Sequence, residues 1–253
     1  MLAGLERAGR LAEVLALVDQ WSAAGQHLSA IGDYLHHKPA TDIDRLRAYA
    51  AKAIERGEQV SVVNAATIAA NWYQRAPDPV LIDEVLLPVI GFVTEHHLPH
   101  WIGHFFAPGH AQMVQDMDEP HAAALMRSFI DIPEVDFRAV RLMAAVARRH
   151  PRLVIDFFDA RLRRERGGRD ERFEPIPFHR HDLAQILSSH ADLLLPAVRE
   201  WYNEGSAFHE YRGGRLLKHA FPELTDAVAA ELIQIASCHR SCNSPQKWAL
   251  KIP

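Results

Sequence analysis

The chain has 253 residues, a hydrophobic fraction of 48% and a net charge of −4 at pH 7. That apolar content excludes wholesale disorder, and the mild acidity gives no general attraction to phosphate polymers or anionic lipid. No apolar run is long enough to span a bilayer, since the best, from Val80 to Val93, contains Asp83 and Glu84.

From Leu2 to Trp21, the residues Leu11, Val14, Leu15, Val18 and Trp21 recur at helical spacing. Gly25 allows a turn, and Leu28, Ile31 and Leu35 predict a second helix that Pro39 stops. Thr41-Asp42 offers an N-cap with Asp44 in the first turn, and the helix through Leu46, Ala50 and Ile54 ends at Gly57. Val60, Val63, Thr67, Ala70 and Trp72 predict the next helix. Asp78-Pro79 reads as N-cap and first helical position of a segment towards Val93, kinked at Pro88.

A histidine-rich stretch follows from Glu95 to His110, broken by Pro99, Pro108 and Gly109. Glu119-Pro120 and Asp131-Ile132-Pro133 each open a helix, the second with Phe137, Val140, Met143 and Val146 on one side. His150-Pro151 turns the chain into a partner helix. The run from Arg166 to Glu171 reads as a loop, Pro175 and Pro177 keep 173–178 extended, and Gly205 to Gly214 reads as a second loop. No window carries the alternation of a β-strand.

The segment starting at His150-Pro-Arg-Leu returns at His190-Ala-Asp-Leu and again at Phe221-Pro-Glu-Leu, with Leu153, Leu193 and Leu224 in register. Phe157, Ala197 and Val228 coincide one turn later, and Pro79-Val-Leu-Ile begins in the same way. A period near 40 residues is that of two-helix repeats, whose amphipathic pairs bury their apolar faces by leaning on one another. The expectation is all-α: a right-handed α-solenoid of antiparallel helix pairs, HEAT-like or armadillo-like, over residues 1–237, with a C-terminal tail over 238–253.

The segments at His150, His190 and Phe221 resemble HEAT-type helical repeats. The run from Val140 to Glu204, with Pro151-Arg-Leu-Val-Ile-Asp-Phe-Phe and Phe173-Glu-Pro-Ile-Pro-Phe, looks like the helical-repeat region of bacterial NACHT/STAND-type multidomain NTPases. That resemblance implies a sensor or scaffold role. The chain departs from a whole NTPase in having no Gly-x-x-x-x-Gly-Lys-Ser/Thr phosphate loop.

Several groups bear on chemistry. His97, His100 and His104, spaced i, i+3, i+7, would share one face of a continuous helix and are the candidate metal ligands, with His96, Glu95 and His110 nearby. Pro99 interrupts that helix. His179, His181 and Asp182 follow the proline turn and read as loop packing and capping. Cys238 and Cys242 flank His239 without a second ligand pair, and two cysteines make no disulfide framework.

Arg161, Arg163, Arg164, Arg166, Arg169 and Arg172 form the densest basic run, opposed by Glu165, Asp170 and Glu171. Trp72, Tyr73, Trp101, Trp201, Tyr202, Phe208 and Tyr211 are candidate anchors for a protein partner. No nucleophile elbow, triad or carboxylate dyad is visible. The leading expectation is a non-catalytic, cytoplasmic interaction scaffold without cofactor, binding a protein or other domains of a larger assembly. The alternatives are a metal-dependent helical enzyme using the three histidines and a nucleic-acid binder using the arginine run, which the overall charge opposes.

Overall fold

The structure is a computed structural model that describes residues 2–38, 42–98, 100–133, 135–167, 173–177, 181–204, 207–223, 228–230 and 233–234. Regular structure among these is entirely helical, with no strand. No helix there is long and apolar enough to cross a membrane. The chain divides into two compact units, Met1–Ile132 and Pro133–Pro253, within the span expected to be one domain. Residues 238–253, including Cys238 and Cys242, lie outside the described residues, as do Leu224 and His179.

In the first unit, α1 (Leu2–Arg7) and α2 (Leu11–Ala24) replace the single helix predicted up to Trp21. Gly9, at φ +75°, breaks it. α3 (Leu28–His36) buries Leu28, Ile31 and Leu35 as their spacing predicts. α4 (Ile43–Arg56) ends on Gly57 in the left-handed region, which satisfies its last carbonyls. Asp42 sits at the N-cap of α4 but does not cap it, because its carboxylate accepts from Arg45 at 2.7 and 2.8 Å.

α5 (Gln59–Arg75) is buried along most of its length and rich in alanine, so neighbouring helices approach it closely. α2 packs on α3 and α4, and α3 packs on α5, which also pairs with α4. One helix pair therefore lies against the next, first helix on first and second on second.

Ahead of Pro88, where a kink was expected, the segment forms a π-helical turn, Leu81–Leu86, in which Leu87 N–H donates to Ile82 five residues back. α6 (Leu87–Glu95) continues from it. Then come α7 (Trp101–Phe105), a 3₁₀ turn (Pro108–His110), α8 (Ala111–Asp116) and α9 (Glu119–Arg127). Asp118 caps α9 through His121 N–H at 2.9 Å. α7 packs on α5, and α9 on α6.

The second unit contains α10 (Phe137–Ala147), α11 (Pro151–Gly167), α12 (His181–Ser188), α13 (Ala191–Asn203) and α14 (Ala207–Ala220). α10 starts four residues later than Pro133 suggested, because Asp136 accepts from Arg138 N–H and Ala139 N–H and caps it there. Phe137 is consequently 46% exposed, while Val140, Met143 and Val146 form the core face. The hairpin α10–α11 stacks on α12–α13, with α10 against α12 and α11 against α13.

The two partner helices begin alike. Leu153 N–H donates to His150 at 3.1 Å, and Leu193 N–H to His190 at 3.0 Å. The buried residues are Val154 and Leu194, one beyond the aligned Leu153 and Leu193, which are half-buried.

The loop expected over Gly205 to Gly214 is helical from Ala207, as α14. Its glycines serve contact rather than flexibility. A Cβ at Gly213 would lie 3.2 Å from Val198, and one at Gly214 would lie 2.8 Å from the Tyr202 hydroxyl. α14 can therefore press closely on α13.

Candidate binding cleft

α5 packs against α3, α4 and α7, yet one stripe of its surface stays partly open. Val60, Val63, Asn64 and Thr67 lie at i, i+3, i+4 and i+7, the spacing of a single helical face. Val63, Asn64 and Thr67 form the floor of a cleft of about 600 Å³, with Val60 exposed at its mouth. α3 turns its apolar residues inward and offers Ser29 and Asp33, four apart, to the rim. α7 buries Trp101, Ile102 and Phe105 and presents His100 and His104 to the same space. The Thr67 hydroxyl lies 3.2 Å from the His104 carbonyl and joins floor to wall.

Two buried polar groups on this lining have no hydrogen-bond partner: the Tyr49 hydroxyl and Trp101 Nε1. Burial pushes the Tyr49 phenol up, with Ser61 and Asn64 close enough to oppose the shift without closing a well-formed bond. Leaving such a group unpaired costs roughly 1–3 kcal/mol. Gly32 makes the arrangement possible. A Cβ there would come within 2.5 Å of both the Tyr49 hydroxyl and Asn64 Nδ2.

The sequence-predicted histidines separate. α6 ends at Glu95, His97 takes φ +49° on the following turn, and a new helix begins at Trp101, so no continuous helix carries His97, His100 and His104. His97 faces Asp131 at 3.8 Å. His96 stacks on Phe92 at 3.9 Å. Among the described residues no three His, Cys, Asp or Glu side chains group as metal ligands.

His110 is buried. Its Nδ1 lies 2.7 Å from the Phe105 carbonyl and 3.2 Å from the Ala107 N–H, and its Nε2 lies 3.0 Å from Asn71 Oδ1. Burial pushes its pKa down, opposed by the Phe105 hydrogen bond. The residue thus ties α5 to the turn after α7.

The arginine run is largely engaged where it is described. Arg161 is fully buried, its guanidinium donating to the carbonyls of Glu174 (2.6 Å), Pro175 (3.2 Å) and Pro133 (3.3 Å) and lying over the rings of Phe157 and Phe173. Burial lowers its pKa to about 10. Arg163 pairs with Asp159 at 2.9 Å, and Arg164 covers Phe173. Arg169 and Arg172 lie outside the described residues. Of the candidate aromatic anchors, Trp72, Trp101 and Trp201 are core residues, whereas Tyr211 is exposed.

The cleft residues Asp33, Tyr49 and Asn64 were not singled out by sequence. The usable signal was α5 itself, a helix whose apolar residues spread around its circumference while one stripe, Val60, Val63, Asn64 and Thr67, passes from valine to amide and hydroxyl. Charge is also uneven. Residues 1–132 hold 16 acidic and 9 basic side chains, net −7, within a chain of −4. No family model, curated protein or solved structure matches this chain.

Proposed function

We propose that the protein is a non-catalytic recognition module of stacked antiparallel helix pairs, HEAT-like in plan, that takes a protein partner in the cleft over α3, α5 and α7. One observation carries the reading. The cleft is built from successive helices of one packing layer, α3 on α5 and α5 on α7, with outward-facing side chains left over after the core is filled. Serial stacking of pairs leaves such surfaces free for a partner.

Its lining mixes apolar residues with convergent hydrogen-bonding groups, the usual make-up of a binding site. The arginine run gives no comparable footing to nucleic-acid binding, because Arg161 is buried within the fold.

Selection from a random peptide library on the full chain tests the reading, with Val60→Trp as the blocked control. Val60 is 85% exposed at the mouth of the cleft, so tryptophan there obstructs the opening without entering the core. Peptides that bind the wild-type chain and lose binding on Val60→Trp support the proposal. Peptides that bind both proteins equally place recognition elsewhere and refute it.

A further inference from the structure

We propose that the occupant of this cleft is an extended, uncharged stretch of polypeptide whose main-chain carbonyls accept hydrogen bonds from the Tyr49 hydroxyl and Trp101 Nε1. This rests on the recognition reading above and adds the part of the partner that the cleft reads.

Those two donors are the unmet buried groups of the lining. Tyr49 is fully buried and Trp101 is 2% exposed, and neither polar atom has a hydrogen-bond partner. Tyr49 comes from α4 and Trp101 from α7. A Cβ on Gly32 would stand 2.5 Å from the Tyr49 oxygen and 2.5 Å from Asn64 Nδ2, so these two atoms lie within twice that distance of each other. Asn64 is a half-buried floor residue. Rotation of its amide gives an incoming group access to the hydroxyl from the cleft side.

Charge and polarity select what can meet them. A cation brings only donors, so Tyr49 and Trp101 would stay unpaired beside it. A carboxylate or phosphate brings acceptors, but it would enter beside Asp33, with no lysine or arginine on the lining, in a unit of net −7. A hydrocarbon would leave the donors unmet and cover Ser29, Asn64 and Thr67 without a hydrogen bond. A peptide carbonyl is a strong acceptor without charge, and each peptide unit also returns an N–H, which Asp33 or Asn64 Oδ1 can accept. A helical partner spends its carbonyls internally, whereas an extended one leaves them free. Val63 and Leu98 then receive apolar side chains of that segment.

The test uses the full chain, labelled with ¹⁵N, and the blocked tetrapeptide acetyl-Leu-Ala-Leu-Ala-amide, whose polar groups are all main-chain amides. Methylammonium and acetate at the same concentration are the charged controls. The indole N–H resonance of Trp101, assigned with Trp101→Phe, reads the contact. The peptide should move it downfield and saturably, with little dependence on salt, while both ions leave it in place. Tyr49→Phe removes the hydroxyl alone. It should weaken the peptide about 2- to 10-fold, the worth of one neutral hydrogen bond, without lowering Tm, because an unmet buried hydroxyl is lost. A purely structural hydroxyl would give the reverse, a lower Tm and unchanged affinity. Val60→Trp should block the peptide.

If the peptide leaves the Trp101 resonance in place, or binds Tyr49→Phe as tightly as wild type, the carbonyl contacts are wrong; the library selection with Val60→Trp decides the recognition reading separately. If methylammonium or acetate moves the resonance as the peptide does, the cleft takes a charged group and the uncharged occupant is refuted.

Discussion

Truncating Leu194 and its neighbour Leu193 to alanine, one at a time, tests the register of the second unit. Leu194 is fully buried and Leu193 half-buried. Removing a sealed leucine loses its transfer free energy and leaves a cavity, about 2–5 kcal/mol together. At Leu193 the vacated space opens to water, so about 1 kcal/mol of lost apolar contact remains. For a unit of this size each kcal/mol moves Tm by roughly 3–5 °C. Leu194→Ala should therefore melt about 10 °C below wild type, and Leu193→Ala only about 3–5 °C below. Far-UV circular dichroism reads the midpoints, with urea titration checking that the m-value holds. The equivalent pair, Val154 and Leu153, should show the same order. Equal losses at Leu193 and Leu194, or a larger one at Leu193, would refute the register.

His110 makes stability depend on pH. Its folded pKa is depressed by burial below the unfolded value of about 6.5. Its contribution is therefore full above about pH 6.5 and lost as pH falls from there towards the folded value. Urea midpoints between pH 7.5 and 5.5 should fall more steeply for wild type than for His110→Gln; parallel curves would show that the ring is not held neutral. Gly32→Ala should destabilise by about 1–3 kcal/mol through overpacking, despite the roughly 1 kcal/mol that alanine gains over glycine in a helix. A stabilised variant would mean that Tyr49 and Asn64 are not pressed against α3.

The helix-pair organisation was legible where turn chemistry and periodicity agreed. His150-Pro151 and His190-Ala191 open equivalent helices, and Gly57 stops α4 as its sequence implies. Reading failed where a residue has two physical uses. Gly213 and Gly214 looked like loop formers, but they are small residues at a close helix crossing. Asp42 looked like a cap, but Arg45 claims its carboxylate.

Leu153 and Leu193 were equivalent to each other as expected, yet periodicity alone could not say which residue of each turn faces the neighbouring pair. The cleft was beyond sequence for a related reason. Asp33, Asn64 and His104 meet only because α3 and α7 both pack on α5, and no local pattern encodes that meeting.

The guanidinium of Arg161 directs its hydrogen bonds to main-chain oxygens of residues 133, 174 and 175 while lying over the Phe173 ring. Carbonyl oxygens are the same whatever amino acid bears them. Exchange of the side chain at Glu174 should therefore leave the path of this connector intact, while exchange at Arg161 should not. The course of residues 173–177 is thus held partly from a helix at a distance and partly by their own buried Phe173 and Ile176.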